Sequence, residues 1–323
     1  MTDTPFRRGV LLLILLTAAA CAGPATPALR TRAEAIPADA VKVTPATDVV
    51  PPILHLDDWE PPIPLPGAVN TAGAEDAPFV TADGRTLLFF YTPDARIPAE
   101  QQLDDGVTGI WWTHRAADGW TAEPERIVLG RETALDGCPA LEGDTLWFCS
   151  ARAGNLRGVD LYTAHLVDGR WADIQNLGEL LNRTYALGEL HPLDGGDTLI
   201  YHSDMAGGHG GLDLWQITRK DGSWGEPVNL GPAVNTARDE TRPYVTADGN
   251  ELWFSGDSGL GYPGHAVYRS LRQLDGTWGP TVEVVSQFAA EPTLDDAGNL
   301  YFAHHFVGTD GIIEADIYVA YRR

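Results

Sequence analysis

A stretch of 26 residues occurs twice in this chain, and this repetition limits the folds that the chain can adopt. Residues 59–84, WEPPIPLPGAVNTAGAEDAPFVTADG, match residues 224–249 at 15 of 26 positions without a gap. The two copies are 165 residues apart, which accommodates three units of about 55 residues. Self-similarity at such a period is typical of architectures in which each unit is completed by stacking on its neighbours.

A proline marks the first strand of each of five units. The prolines are 61, 53, 51 and 49 residues apart, and each is followed by a turn that pairs Gly with Asp or Asn, then by a short aromatic strand. These pairs favour tight hairpins because glycine adopts positive φ without a Cβ clash. Four-stranded antiparallel sheets at this period predict an all-β, five-bladed β-propeller. The prolines are Pro78, Pro139, Pro192, Pro243 and Pro292.

The two ends of the repeat region complement each other. Residues 59–70 have the sequence of a fourth strand without the three that should precede it, and the last unit ends after its third strand. We therefore predict that residues 59–70 complete the last blade, which removes a free sheet edge. The predicted propeller covers residues 57–323. Its blades are predicted at about 71–130, 131–183, 184–235, 236–285 and 286–323.

The first twenty residues have the features of a signal peptide. Arg7 and Arg8 precede an apolar run over residues 10–20 that is too short to span a bilayer as a helix. Three alanines then precede Cys21. This pattern resembles a bacterial lipobox and implies lipidation of Cys21, with ordinary signal cleavage as the alternative. Residues 21–56, rich in Ala, Pro and Thr, are predicted to be a disordered tether.

Two further cysteines flank a predicted turn. Cys138 and Cys149 lie almost symmetrically about Gly143-Asp144, so on a hairpin they would face each other. A disulfide and a pair of buried thiols are both compatible with this spacing.

The chain is strongly acidic, with a formal net charge of −23. Such a body repels nucleic acid and anionic lipid, so we expect no nucleic-acid partner and no membrane contact except through the lipid anchor. We expect a monomer without a cofactor.

The repeat resembles a known class of propeller. The order of Pro, Asp-Gly, aromatic strand and Gly-Gly-Leu-Asp-Leu-Trp (210–215) resembles the WD-like repeat of TolB-type periplasmic proteins. The stretch DGSWGEPVNLGPAVNTARDE (221–240) is similar to repeats in bacterial lipoproteins and envelope proteins. The resemblance covers residues 59–323 and implies an envelope location, anchored at the outer membrane on its periplasmic or outer surface. Unit one departs from it through an insertion at 93–109. The function stays open because propellers support many functions.

An acidic residue lies three places before the proline in four units: Glu75, Asp136, Glu189 and Glu240. Each should lie at one mouth of the central channel. Glu75, Asp136 and Glu189 could then act as general acid and base in glycan hydrolysis. A carboxylate that recurs in every unit is more simply explained as an acceptor for backbone N–H groups, whereas a catalytic set is asymmetric.

The units differ at the residue before the proline, which is Ala77, Cys138, His191, Arg242 or Glu291. An uneven channel mouth is what a ligand site needs, although salt bridges among neighbours would explain the same residues. The candidate ligand-binding residues are His191, Glu240, Arg242, Glu291, His304 and His305. No pair of histidines has a compact metal-ligand spacing, so no metal site is predicted.

These patterns favour a non-enzymatic propeller, tethered in the bacterial envelope, that binds an envelope protein or a glycan through its loop-rich face and channel mouth. The alternative is a glycan-active hydrolase that uses the channel-mouth carboxylates.

Overall fold

The computed structural model describes residues 30–103, 105–130, 134–309 and 311–323. The predicted signal peptide and Cys21 lie outside these ranges. Two single-turn helices, α1 (Arg32–Ala35) and α2 (Ala99–Gln102), a π-helical turn at Leu180–Thr184 and a 3₁₀ turn at Asp194–Gly196 accompany the strands. None of the described helices is long and apolar enough to cross a membrane.

The described strands pair antiparallel within each sequence unit, and one parallel pair, Ala315 opposite Ala74, joins the last strand of the chain to the first strand of unit one. Two short strands, β1 (Ile53–Leu54) and β2 (Ile63–Pro64), come first. Unit one contains β3 (Ala74–Val80), β4 (Thr86–Thr92), β5 (Gly109–His114) and β6 (Glu125–Arg126). Unit two contains β7 (Ala134–Glu142), β8 (Thr145–Arg152), β9 (Asp160–Val167) and β10 (Arg170–Asn176).

The remaining units repeat this order. Unit three contains β11 (Leu190–Leu193), β12 (Thr198–Ser203) and β13 (Asp213–Lys220), with β14 (Ser223–Trp224) and β15 (Val228–Asn229) both paired to β13. Unit four contains β16 (Glu240–Val245), β17 (Glu251–Asp257), β18 (His265–Leu271) and β19 (Val282–Ser286). Unit five contains β20 (Ala289–Leu294), β21 (Leu300–Gly308) and β22 (Gly311–Ala320). Sheets of four or five strands in this order fit a propeller.

The N-terminal strand β2 pairs with the last strand β22. Ile63 lies opposite Val319 and Pro64 opposite Tyr318, both antiparallel. Trp59, 1% exposed, forms a further bridge to Arg322, whose guanidinium lies 4.3 Å from the indole ring centroid. β2 thus lies beside the last strand of unit five.

The pre-proline residue adopts a left-handed conformation in four units. The φ angles are 49° at Ala77, 51° at Cys138, 52° at Arg242 and 61° at Glu291, and the pairing register shifts at each of these points. Proline cannot donate to the strand ladder, and the bulge also takes the preceding N–H out of it; side chains accept that N–H at Ala77 and Glu291. Unit three keeps regular pairing, with His191 opposite Ile200.

The second strand of each unit forms the centre of the core. Its aromatic residue is at most 2% exposed in all five units. Burying such a ring stabilises the fold by roughly 1.5–3 kcal/mol. The five residues are Phe89, Phe148, Tyr201, Phe254 and Phe302.

Residues 30–58, which we name the strap, differ from the disordered tether expected over residues 21–56. The Arg32 side chain is 5% exposed and donates hydrogen bonds to Glu75 Oε1 at 3.1 Å and to the Ala68 carbonyl at 2.7 Å. Its guanidinium also lies 5.5–5.7 Å from the ring centroids of Phe89, Tyr91 and Trp111. A buried cation enclosed by a carboxylate, carbonyls and aromatic faces holds this segment in place.

The strap continues from unit one over unit five. The Lys42 ammonium pairs with the carboxylates of Glu314 and Asp316, which are both almost fully buried. Asp48 Oδ2 lies 3.0 Å from His304 Nε2. Composition alone could not reveal these contacts because each depends on a single polar residue.

The strap ends on unit four, where β1 pairs with the outer strand β19. The strap contacts the first strand of unit one, the third strand of unit five and the end of the fourth strand of unit four. In an antiparallel sheet, the starts of first and third strands and the ends of fourth strands lie at the same edge. The strap therefore crosses the loop-rich face over units one, five and four.

Candidate functional site

The five residues that precede the repeat prolines line one cavity of about 60 Å³, together with four of those prolines. We name this cavity the channel mouth. Four of the five pre-proline side chains project from a bulged strand, so the bulge directs different chemistry to the same place. The pre-proline residues are Ala77, Cys138, His191, Arg242 and Glu291.

Three rings form a partition at the base of the channel mouth. His191 lies 4.7 Å from Tyr244 and 6.0 Å from Phe79 between ring centroids. The same three side chains line a second cavity of about 650 Å³ on the side of the Asp-Gly turns. Burial lowers the pKa of His191 to about 3, so its imidazole is neutral at physiological pH.

Arg242 is held between two carboxylates at the channel mouth. Its Nε lies 2.9 Å from Glu189 Oε2 and 2.5 Å from Glu291 Oε1. Although burial alone would lower the pKa of Arg242, these carboxylates raise it and the guanidinium stays charged. The sequence-predicted residues Arg242 and Glu291 thus meet here, joined by Glu189.

The ionic contacts continue from Glu291 toward unit one. Glu291 Oε2 accepts a hydrogen bond from the Ala77 backbone N–H at 2.5 Å, and Asp76 Oδ1 lies 2.9 Å from His305 Nε2. Burial raises the pKa of Glu291 well above its usual value. Burial would also raise the pKa of Asp76, but the adjacent His305 and Arg242 hold it well below its usual range.

Two predicted ligand residues lie apart from this group. The Glu240 carboxylate accepts hydrogen bonds from the backbone N–H and the hydroxyl of Thr236, at 2.9 and 2.6 Å. His304 is paired with Asp48 of the strap. Both side chains therefore already have hydrogen-bond partners within the protein, which is the alternative to a ligand-binding role.

The candidate catalytic acids do not converge. Glu75 accepts from the Thr71 backbone N–H at 2.8 Å and from Arg32, and Asp136 accepts from the Ser150 hydroxyl at 2.6 Å. Of the three acids, Glu189 lines the channel mouth and the other two do not. Carboxylates bound in their own blades fit the structural explanation for the recurring acid.

Cys138 at the channel mouth is bonded to Cys149 on the neighbouring strand. Their Cα atoms are 5.4 Å apart, within the usual range for a disulfide. The bond fixes the bulged pre-proline residue of unit two to its own hairpin.

Asp76 and the strap cations Arg32 and Lys42 are functional residues that the sequence reasoning missed. Asp76 occupies a position that is Thr241 in unit four, so the repeat gave no acidic pattern there. The strap cations lie in a segment whose composition indicated disorder.

No family model matches the chain, and no curated protein matches it. Among solved structures, the chain is similar to TolB from Acinetobacter baumannii, with 14% identity and a TM-score of 0.47 over 78% of this chain and 55% of that one. It therefore spans about half of that protein. A putative TolB from Agrobacterium tumefaciens is 14% identical, with a TM-score of 0.39 over 78% and 92% of the two chains. The α-L-arabinofuranosidase from Lactobacillus brevis is 11% identical, with a TM-score of 0.45 over 76% and 90%.

Proposed function

We propose that the chain is a five-bladed propeller closed by β2 that binds an envelope partner at its channel mouth and the uncovered part of its loop-rich face. The observation that carries this proposal is the convergence of five chemically different pre-proline residues on one cavity. A purely architectural ring would repeat the same residue, whereas recognition needs an asymmetric surface.

The strap leaves the loops of units two and three uncovered, together with part of unit four. Val159 and Leu260 are apolar side chains exposed in these loops, at 52% and 60%. Arginine is enriched among the residues that dominate binding at protein interfaces, and exposed apolar side chains add buried contact area. This favours a protein partner, with a glycan as the second candidate ligand.

Arg242 supplies the charged centre of the proposed interface. It is 28% exposed and already pairs with two carboxylates, one of which, on Glu189, is itself 27% exposed. An acidic group of the partner could take the place of Glu189 and form a charge-assisted hydrogen bond with the guanidinium.

We propose that the chain reaches its partner from a lipid anchor on Cys21 at the outer membrane. The three alanines before Cys21 support lipidation at this residue. Mass spectrometry of the mature protein tests it: an acylated N-terminal Cys21 is expected, and an unmodified peptide that begins after Ala20 would exclude lipidation.

Affinity capture from envelope extract tests the binding proposal. We compare the wild-type chain, the double variant His191→Ala/Arg242→Ala, and the control Arg85→Ala, which changes an exposed arginine beside the Asp83-Gly84 turn. A species retained by wild type and control but lost from the double variant is expected. Equal capture by all three folded chains would contradict binding at the channel mouth.

A further inference from the structure

Three potential metal ligands from three different strands meet beside the channel mouth. Asp76 of β3, Glu291 of β20 and His305 of β21 each offer a donor atom within 4.8 Å of the other two. The residues are far apart in the sequence, which is why spacing rules did not predict a metal site. The first strands of units one and five and the second strand of unit five place them together.

The cluster brings three carboxyl groups close to one guanidinium. Asp76 and Glu291 belong to it, Glu189 is adjacent, and Arg242 pairs with Glu189 and Glu291. Buried carboxylates need a cation or a hydrogen-bond donor as a partner, and a metal ion among the three ligand atoms would supply one.

A separate cavity of about 420 Å³ opens directly onto the cluster. Asp76 and His305 are among its lining residues. Its wall includes Ile97 and Gln102, from the insertion that distinguishes unit one, and Ile312, from the long β21–β22 hairpin. The insertion of unit one and the β21–β22 hairpin of unit five therefore enclose this cavity, and the potential metal ligands lie in its wall.

The ligands are also held in position by groups that do not take part in chelation. Arg242 binds one oxygen of Glu291 and the Ala77 N–H binds the other. Each carboxylate oxygen keeps a further lone pair for an ion. Outer contacts of this kind orient metal ligands and sharpen affinity.

We propose that Asp76, Glu291 and His305 bind a divalent transition-metal ion such as Zn²⁺, with an open coordination position facing the 420 Å³ cavity. One imidazole and two carboxylates are ligands that Zn²⁺ accepts, and three protein ligands with an open fourth position characterise exposed zinc sites. Ca²⁺ would require more oxygen ligands than the three residues offer. This site adds to the proposed partner binding and does not depend on it.

Calorimetric titration of the EDTA-treated full chain with ZnCl₂ tests the proposal. One ion per chain is expected, with affinity at least about 100-fold weaker in His305→Ala and Asp76→Asn. His114→Ala is the matched control because His114 is an exposed histidine whose Nδ1 lies 3.1 Å from the Thr86 hydroxyl. The control is expected to bind like wild type.

A spectroscopic measurement keeps the test decisive if a variant folds poorly. Co²⁺ added to the wild-type chain should give visible d–d absorption that Zn²⁺ abolishes. If this absorption does not appear and no zinc is taken up, the three residues bind no metal ion and the proposal is overturned. Equal zinc affinity in folded wild type and His305→Ala would also overturn it. No partner is present in these experiments, so their failure is distinguishable from failure of the capture test.

Discussion

The guanidinium of Arg32 lies 3.1 Å from the carboxylate of Glu75, and both side chains are almost completely buried. The two residues belong to different parts of the chain, the strap and the first strand of unit one. In unit two the cation that pairs with the recurring carboxylate is Arg152. It lies 2.7 Å from Asp136 and over the rings of Phe148 and Tyr162. Unit one thus takes its cation from outside the repeat.

Replacing Arg32 with Ala should destabilise the chain by about 3 kcal/mol at pH 8, because it leaves Glu75 buried without its cation. Burial raises the pKa of Glu75 to about 7, so the cost should shrink at pH 5, where this carboxyl is protonated. Chemical denaturation measures both. Arg30→Ala, at an exposed arginine, is the control, and Arg32→Ala/Glu75→Gln should recover part of the loss. An equal loss in Arg30→Ala would argue against a specific role for the pair.

Replacing Lys42 with Met should loosen the middle of the strap, because Glu314 and Asp316 would lose the ammonium between them. Limited proteolysis should then cut faster within residues 36–52, while the sheets stay protected. Lys220→Met, at an exposed lysine of unit three, should be cut like wild type. Unchanged cleavage in Lys42→Met would mean that other contacts hold the strap.

Acidification should destabilise the wild-type chain relative to His191→Gln. Burial lowers the pKa of His191 from 6.5 to about 3, so between these values the unfolded state binds a proton that the folded state does not. Stability therefore falls as the pH drops below about 6.5, by about 2 kcal/mol between pH 6.5 and 5. Urea denaturation at both pH values measures the difference. A stability difference between wild type and His191→Gln that is the same at both pH values would contradict a lowered pKa of His191 in the folded chain.

Replacing Cys138 and Cys149 with Ser should lower the free energy of unfolding by about 2–3 kcal/mol, the range expected for a short closed loop. Thiol labelling of the native wild-type chain should leave both cysteines unmodified until a reductant is added. Melting curves with and without reductant give the energetic effect. Labelling of both cysteines without reductant would exclude the disulfide.

The sequence predicted the all-β class and the order of strands within a unit because Pro, Asp-Gly and the aromatic strands are local signals repeated in every unit. Phe89 and Phe302 occupy the same buried position although their units share little else. The strap escaped prediction because its docking depends on single long-range pairs, such as Lys42 with Asp316. No local pattern encodes such a pair.

The sequence predicted residues of the candidate site only at positions where the units carry different residue types. Arg242 and Glu291 stood out as departures from the repeat, and the structure brings them together. Glu240 recurs as Glu75 in unit one with the same threonine contact, which marks it as architecture. His305 was a candidate from the sequence, but its partner Asp76 was not, because the two residues lie in different units.

The docked strap also determines how far the body can move from a lipid on Cys21. Arg32 follows Cys21 by eleven residues. An acylated Cys21 would therefore lie at most roughly 40 Å from Arg32, whatever path the chain takes. A free segment reaching to residue 57 would allow roughly three times that distance. Because Arg32 docks on the loop-rich face, so short a connecting segment would orient the channel mouth toward the membrane. Release of the strap would let the domain rotate away from the membrane.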